Sequence, residues 1–370
     1  VESTNKTGRI LVAGGGTGGH VYPALATIEA LKENGDYDFL YVGGKGGIET
    51  RIVPKYDIPM QTIWISGFNR SFSLKNLLFP VKLISSLYSS WKIVRSFKPQ
   101  VAVGMGGYVT GPILYMASRM GVPVLIQEQD AHPGVTTRLL ARYARKICLA
   151  FEQASSHFSE YEDKLVVTGN PIRQMGSLSR EQGLKEWNLN PKNRTIFVFG
   201  GSQGSRAINT ALNKLLPELL QDKSVQIIWQ TGRGEYEAVK AGLSVQDERV
   251  VLLNYIENMP AAFAAADIII CRAGASSLAE LAIAEKATIL VPYPYAAGNH
   301  QELNSTMVEK AGAARMVKEG DEWHLQLKEA LQMLLDSAEK RAEQGAAWKK
   351  LAKPNAAKHI ATEINALIAA

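Results

Sequence analysis

The chain has 370 residues, 46% hydrophobic and 21% charged, with a net charge of +6. That is the balance of an ordinary globular protein, too long for one hydrophobic core, so two domains of roughly 170–190 residues are expected. Two cysteines exclude a disulfide framework and fit a reducing compartment, the polar start 1–8 lacks the apolar segment of a signal peptide, and no run approaches 18 apolar residues, so any membrane contact must be peripheral.

In chain order, Arg9–Ala13 reads as a strand and Tyr22–Asn34 as a helix ended by Gly35. Strands follow at Asp38–Val42, Val101–Val103, Val122–Gln127 and Lys146–Ala150. Short apolar runs separated by helical stretches imply a parallel, doubly wound sheet. The polar, Gly- and Pro-containing segment Gly169–Arg194 breaks this pattern. It sets the expected boundaries: a domain over 1–170, a linker over 171–194 and a second domain over 195–370, whose last helix is free to pack back on the first. The second half restarts with strands at Thr195–Phe199, Gln226–Gln230, Val250–Leu253, Ile268–Cys271 and Thr288–Val291. Helices are expected near Ser205–Leu220, Ser276–Ala284, His300–Lys310 and Gln326–Leu335. Cys148 and Cys271 end apolar runs and read as small core residues.

Each half opens with an apolar strand running into a glycine turn: Gly14-Gly15-Gly16-Thr17-Gly18-Gly19 in the first and Gly200-Gly201-Ser202-Gln203-Gly204 in the second. A strand, a glycine turn and a helix N-terminus together favour anions, because backbone N–H groups and the helix dipole face the ligand. The first turn matches a dinucleotide fingerprint. Yet the next strand ends in Gly43-Gly44, and the nearest carboxylate beyond is Glu49, which disfavours a ribose-binding NAD unit. Neither turn continues into the Lys and Ser/Thr of a phosphate-binding P-loop. A third glycine loop, Gly104–Gly107, again joins a strand end to a helix start.

Polar residues gather at the same strand ends. His20 follows the first turn and suits general-base work near neutrality, or else only caps the helix. Glu128 sits in Gln127-Glu128-Gln129-Asp130 after a strand. Glu280, one turn after Ser276, fits either a helix cap or a grip on ribose hydroxyls. Gln301 and Asn304 share a helix face and could bind sugar hydroxyls and amides. No Asp-x-Asp or His/Cys cluster has metal-ligand spacing, so a departing diphosphate would rely on helix dipoles, backbone N–H groups and Arg173. Between Asp57 and Glu128 there is no acidic residue, and over 64–98 aromatic and aliphatic side chains alternate with Lys and Arg. That composition suits an anionic lipid surface; no nucleic-acid motif accompanies it.

Taken in order, Gly14–His20 with Pro23-Ala24-Leu25-Ala26, Gly104-x-Gly106-Gly107-Tyr108-x-x-Gly111-Pro112, Glu128-Gln129, Gly169-Asn170-Pro171-x-Arg173, Gly200–Gly204 and Arg272-x-Gly274-Ala275 leading to Glu280 resemble glycosyltransferase family 28. The resemblance spans nearly the whole chain. It implies an α/β GT-B fold, with two Rossmann-like doubly wound domains facing a central cleft. It implies an inverting, metal-independent transfer of GlcNAc from UDP-GlcNAc to the C4 hydroxyl of MurNAc in undecaprenyl-pyrophosphoryl-MurNAc-pentapeptide, converting lipid I to lipid II, with no cofactor. It places the protein peripherally at the cytoplasmic face of a bacterial plasma membrane, in a cell-wall synthesis complex. By the same resemblance His20 is the general base and Glu128 a second catalytic residue. Gly16, Gly106, Gly107 and Tyr108 face the acceptor. Thr17, Gly18 and Gly19 lie near the acceptor pyrophosphate and reach the donor. Asp130, Arg173, Ser202, Ile256, Ala275, Ser276, Glu280, Gln301 and Asn304 contact the donor. The chain departs from the family pattern at Gln127, usually His, and at Asp130, usually Asn. Two alternatives stand beside this reading: a UDP-GlcNAc epimerase of the same architecture, and a membrane-docked UDP-sugar binding module.

Overall fold

A computed structural model describes residues 7–66, 79–172, 176, 178–201 and 203–370. The chain divides into two compact units, 1–173 together with 353–370 (unit 1) and 174–352 (unit 2).

Unit 1 is built on a seven-stranded sheet of order β3-β2-β1-β4-β5-β6-β7. Its strands are β1 (Gly8–Ala13), β2 (Tyr37–Gly44), β3 (Met60–Ile63), β4 (Val101–Gly104), β5 (Val124–Glu128), β6 (Lys146–Leu149) and β7 (Leu165–Val167). Every pairing is parallel, and helices cover both faces, so the central strands are apolar on both sides. Alternation along β1 divides the core. Ile10 and Val12 face one side, with Leu25 and Ile28 of helix Gly18–Lys32 and Ile360 and Ile364 of helix Ala356–Ala369. Leu11 and Ala13 face the other, with Ile93, Ile113 and Leu114. Tyr37 Oη donates to Asn365 Oδ1 at 2.8 Å, fixing helix Ala356–Ala369 to this unit. Cys148 and Cys271 are both buried free thiols, and burial raises both thiol pKa values, that of Cys148 to about 12.

Unit 2 carries a six-stranded parallel sheet of order β10-β9-β8-β11-β12-β13. Its strands are β8 (Arg194–Phe199), β9 (Val225–Gln230), β10 (Val250–Leu253), β11 (Ile268–Cys271), β12 (Ala287–Leu290) and β13 (Arg315–Met316). Helix Arg206–Leu219 buries Ile208, Leu212, Leu215 and Leu219, a helical spacing that lays one stripe on the sheet.

Two features differ from the sequence expectation. The first helix starts at Gly18 rather than Tyr22, which puts His20 inside its first turn. The segment expected as linker contains helix Arg180–Lys185, closed by a capping box on Ser179 and Gln182. Arg180 ties it to the sheet of unit 2 by pairing with Asp267 at 2.9 Å, while Asp267 also accepts from Thr195 N at 2.7 Å. Residues 353–370 group with unit 1, the domain on which the last helix is free to pack.

Candidate active site

In both sheets the strand order reverses beside the first strand of the unit, between β1 and β4 and between β8 and β11. Loops leaving the strand C-termini at such a reversal diverge and leave room for a ligand. In unit 1 these are the first glycine turn after β1 and Met105–Tyr108 after β4, with Gln129 and Asp130 after neighbouring β5.

His20 is half-buried. Its Nδ1 lies 2.8 Å from the Gly15 carbonyl oxygen and 3.2 Å from Thr17 Oγ1. A carbonyl only accepts, so Nδ1 is the donor in that contact. The imidazole rests against the β4 loop: a Cβ on Gly106 would come within 2.6 Å of His20 Cδ2 and 2.9 Å of Nε2. Gly106 also has φ +91°, so both the space and the backbone require glycine. Gln129, buried, donates from Nε2 to the Met105 carbonyl at 2.6 Å and holds this loop. Tyr108 stands out from it, 57% exposed. Thr17, Gly18, Gly19, His20, Gly106, Gly107 and Tyr108 are thus gathered on one edge, as their spacing suggested.

Glu128 is buried, and its carboxylate turns into its own loop. Oε1 accepts from Asp130 N at 3.1 Å and Oε2 from Gly134 N at 3.2 Å. Burial, reinforced by the charge of Asp130, pushes its pKa up to about 7. This geometry favours loop shaping over the direct catalytic role expected from sequence. Gln127 is buried beside it, its Nε2 donating to the Glu128 carbonyl at 3.2 Å.

In unit 2 the second glycine turn leads to Ser205, which caps helix Arg206–Leu219 by accepting from Ile208 N at 3.3 Å. Arg272, buried after β11, donates to Ser205 Oγ at 2.7 Å and to the Val291 and Pro292 carbonyls, each at 3.1 Å, and pairs with Glu319. Gln230, buried at the end of β9, donates to the Gly201 carbonyl at 3.1 Å and accepts from Ile256 N at 2.9 Å. Ile256 is thereby locked to the glycine turn. Asn304 is fully buried and donates to the Ala273 carbonyl at 3.3 Å, fixing the turn before helix Ala275–Ala284. Gln301 accepts from Tyr293 N at 3.0 Å through Oε1. Ser276 Oγ is buried with no protein partner among the described residues, and Glu280 lies half-buried on the same helix. Arg173 and Ser202 lie outside the described residues. Gln230, Gln129 and the bracing role of Arg272 escaped sequence reasoning, because each acts through a backbone group distant in the chain.

Two doubly wound parallel sheets, each with a glycine turn at its reversal point, are the architecture of the GT-B class of nucleotide-sugar glycosyltransferases, which enzymes of other activity share. Family models for the glycosyltransferase family 28 N-terminal domain and C-terminal domain match residues 10–149 and 195–360, and the chain belongs to that family. A relative from Desulfitobacterium hafniense (strain Y51) is 41% identical over 355 residues, covering 94% of this chain and 96% of its own. It is named UDP-N-acetylglucosamine--N-acetylmuramyl-(pentapeptide) pyrophosphoryl-undecaprenol N-acetylglucosamine transferase. The crystal structure of Acinetobacter baumannii MurG is 29% identical, with a TM-score of 0.75 over 96% of this chain and 99% of that one. A UDP-GlcNAc 2-epimerase from Neisseria meningitidis bound to UDP-GlcNAc, 14% identical, has a TM-score of 0.65 over 95% of this chain and 98% of that one, and shares the fold.

Proposed function

We propose that this chain transfers N-acetylglucosamine from UDP-GlcNAc to the C4 hydroxyl of the muramoyl sugar of undecaprenyl-pyrophosphoryl-MurNAc-pentapeptide, yielding lipid II, and that it does so at the cytoplasmic face of the membrane. The observation that carries the reading is His20, whose Nδ1 is held by the Gly15 carbonyl and whose Nε2 lies beside Gly106 at the sheet reversal of unit 1. In the reaction His20 Nε2 takes the proton of the acceptor hydroxyl. The oxygen attacks the anomeric carbon, and the bond to the diphosphate breaks with its electron pair leaving on UDP. Attack opposite the leaving group inverts the anomeric centre. Gly16, Gly106, Gly107 and Tyr108 line the acceptor sugar, and Thr17–Gly19, with the N–H groups that open helix Gly18–Lys32, take its pyrophosphate.

On unit 2, the second glycine turn and the start of helix Arg206–Leu219 offer N–H groups and a dipole to the diphosphate. Ser202 and Arg173, donor contacts by family resemblance alone, lie outside the described residues. Ile256 takes the uracil, Ala275, Ser276 and Glu280 the ribose, and Gln301 the sugar. Asn304, already bonded to Ala273, supports this loop, and Asp130 supports the unit 1 side through Glu128.

Helix Phe79–Phe97 supports docking on lipid. Its inward side buries Ser86, Ser90, Ile93 and Val94, while Val81, Ile84 and Tyr88 project outward at 54%, 69% and 65% exposure. Lys92 and Arg95 are exposed on the same helix. The 67–78 part of the basic, aromatic stretch lies outside the described residues.

The deciding experiment follows UDP release from UDP-GlcNAc with and without a lipid I analogue, for the wild type and His20→Ala. Release that requires the analogue and falls by about 10²–10⁴-fold in the variant is the expected result. UDP-GlcNAc turnover without acceptor would favour an epimerase. Absence of turnover with UDP binding retained would favour a binding module.

A further inference from the structure

Glu49 takes no part in the chemistry described above. It opens the short helix Glu49–Ile52 after β2 and is 1% exposed. Among the described residues no Lys or Arg pairs with it. Its partners are backbone: Oε1 accepts from Gly44 N at 2.8 Å, and Oε2 accepts from Gly16 N at 3.0 Å. The surrounding glycines make room for it. A Cβ on Gly43 would lie 2.5 Å from Glu49 Cγ, and one on Gly15 or Gly47 would collide with the carboxylate itself. Two backbone N–H groups and the glycines around it fix this buried carboxylate directly beneath the first glycine turn.

Gly16 N–H and the Gly15 carbonyl belong to one peptide group. The first is held by Glu49 and the second accepts from His20 Nδ1 at 2.8 Å. Peptide resonance couples the two ends: an anion on the N–H increases negative charge on the oxygen and strengthens the bond that oxygen receives. We propose that Glu49 is a positioning residue for the base. Acting through the Gly15–Gly16 peptide, it orients the His20 ring, keeps the proton on Nδ1 and stabilises the imidazolium formed when Nε2 takes the acceptor proton. The arrangement performs the task of the carboxylate in a carboxylate–histidine pair, with one peptide group between the partners. It also means that the Gly16 N–H serves the protein's own carboxylate, leaving the acceptor pyrophosphate to the N–H groups of Gly18 and Gly19 that open helix Gly18–Lys32.

This proposal rests on His20 being the base, and the experiment separates the two. Initial rates with a lipid I analogue are measured from pH 5.5 to 9 for wild type, Glu49→Gln, Glu49→Asp and His20→Ala, with UDP affinity and thermal melts recorded for each. In Glu49→Gln, kcat is expected to fall about 10–100-fold, with KM for UDP-GlcNAc within about twofold of wild type. The acid limb of its kcat/KM profile should move to lower pH, because the imidazolium loses its stabilising charge. Glu49→Asp keeps the charge on a shorter arm and should show a smaller displacement in the same direction. It carries the test if Glu49→Gln does not fold. A folded variant whose acid limb stays in place overturns the proposal, whether or not its rate falls. Full activity in His20→Ala would instead overturn the base reading, and the role of Glu49 with it.

Discussion

At Glu128, two backbone N–H bonds lower the carboxyl pKa, but burial and the neighbouring Asp130 outweigh them and place it at about 7. The sign of the consequence follows from proton counting. Between an ordinary 4.5 and about 7 the folded chain keeps a proton that the unfolded chain has lost, so this group's contribution to stability falls as pH rises through that window. The span corresponds to about 3 kcal/mol. Glu128→Gln removes the ionisation and keeps the shape. Its stability relative to wild type is therefore expected to improve from pH 5 to pH 8, by up to about that amount, in parallel thermal melts. A difference that does not vary with pH would exclude a raised carboxyl at this position. Residues of this kind divide the legible from the illegible. Gly106 and Tyr108 could be located by sequence because they lie in the loop that directly continues an apolar strand, and His20 because it opens the helix after the first glycine turn. Glu49 could not, since its bond to Gly16 spans 33 residues and no motif marks its short helix.

Among the elements, strands buried on both faces announce themselves as continuous apolar runs, and β1, β4, β8 and β11 were visible for that reason. The strands β3 and β7 were not. They are short and largely half-buried or exposed, and they resemble loop sequence. Helix Arg180–Lys185 was hidden by Gly183, which looks like a breaker. A Cβ there would lie 2.6 Å from the Ala261 carbonyl and 2.7 Å from Ala265 N, so the glycine marks close helix packing instead. Helix Phe79–Phe97 buries Ile93 and Val94 as an ordinary surface helix would, but turns Ser86 and Ser90 inward and Val81, Ile84 and Tyr88 outward. Burying one large apolar side chain contributes about 1.5–3 kcal/mol. Replacing Ile84 and Tyr88 together by Glu is accordingly expected to reduce co-sedimentation with phosphatidylglycerol vesicles at least about tenfold, with UDP affinity unchanged. Undiminished vesicle binding would remove this helix from the docking surface.

On the scale of the whole molecule, the two-domain organisation was evident from length and from the restart of strand–helix alternation near Thr195. The discontinuity of unit 1 is open in the sequence, the last helix being free to pack on either domain, because helix Ala356–Ala369 carries an ordinary amphipathic pattern that does not reveal which sheet it covers. Ile360 and Ile364 are fully buried in the core of unit 1. Ile364→Ala is expected to cost that unit about 2–5 kcal/mol. Its melting transition should shift down while UDP binding by unit 2 persists; an equal loss in both would indicate that the units unfold as one. The split carries a consequence for biosynthesis. Residues 1–173 leave the ribosome first, yet the helix that completes their core is made only after all of 174–352. At about 5–20 residues per second, that interval is on the order of 10–40 s. Unit 2, whose residues are contiguous, can mature during this wait. The half carrying His20 and helix Phe79–Phe97 stays incomplete meanwhile, so a newborn chain completes its contiguous unit before its divided one.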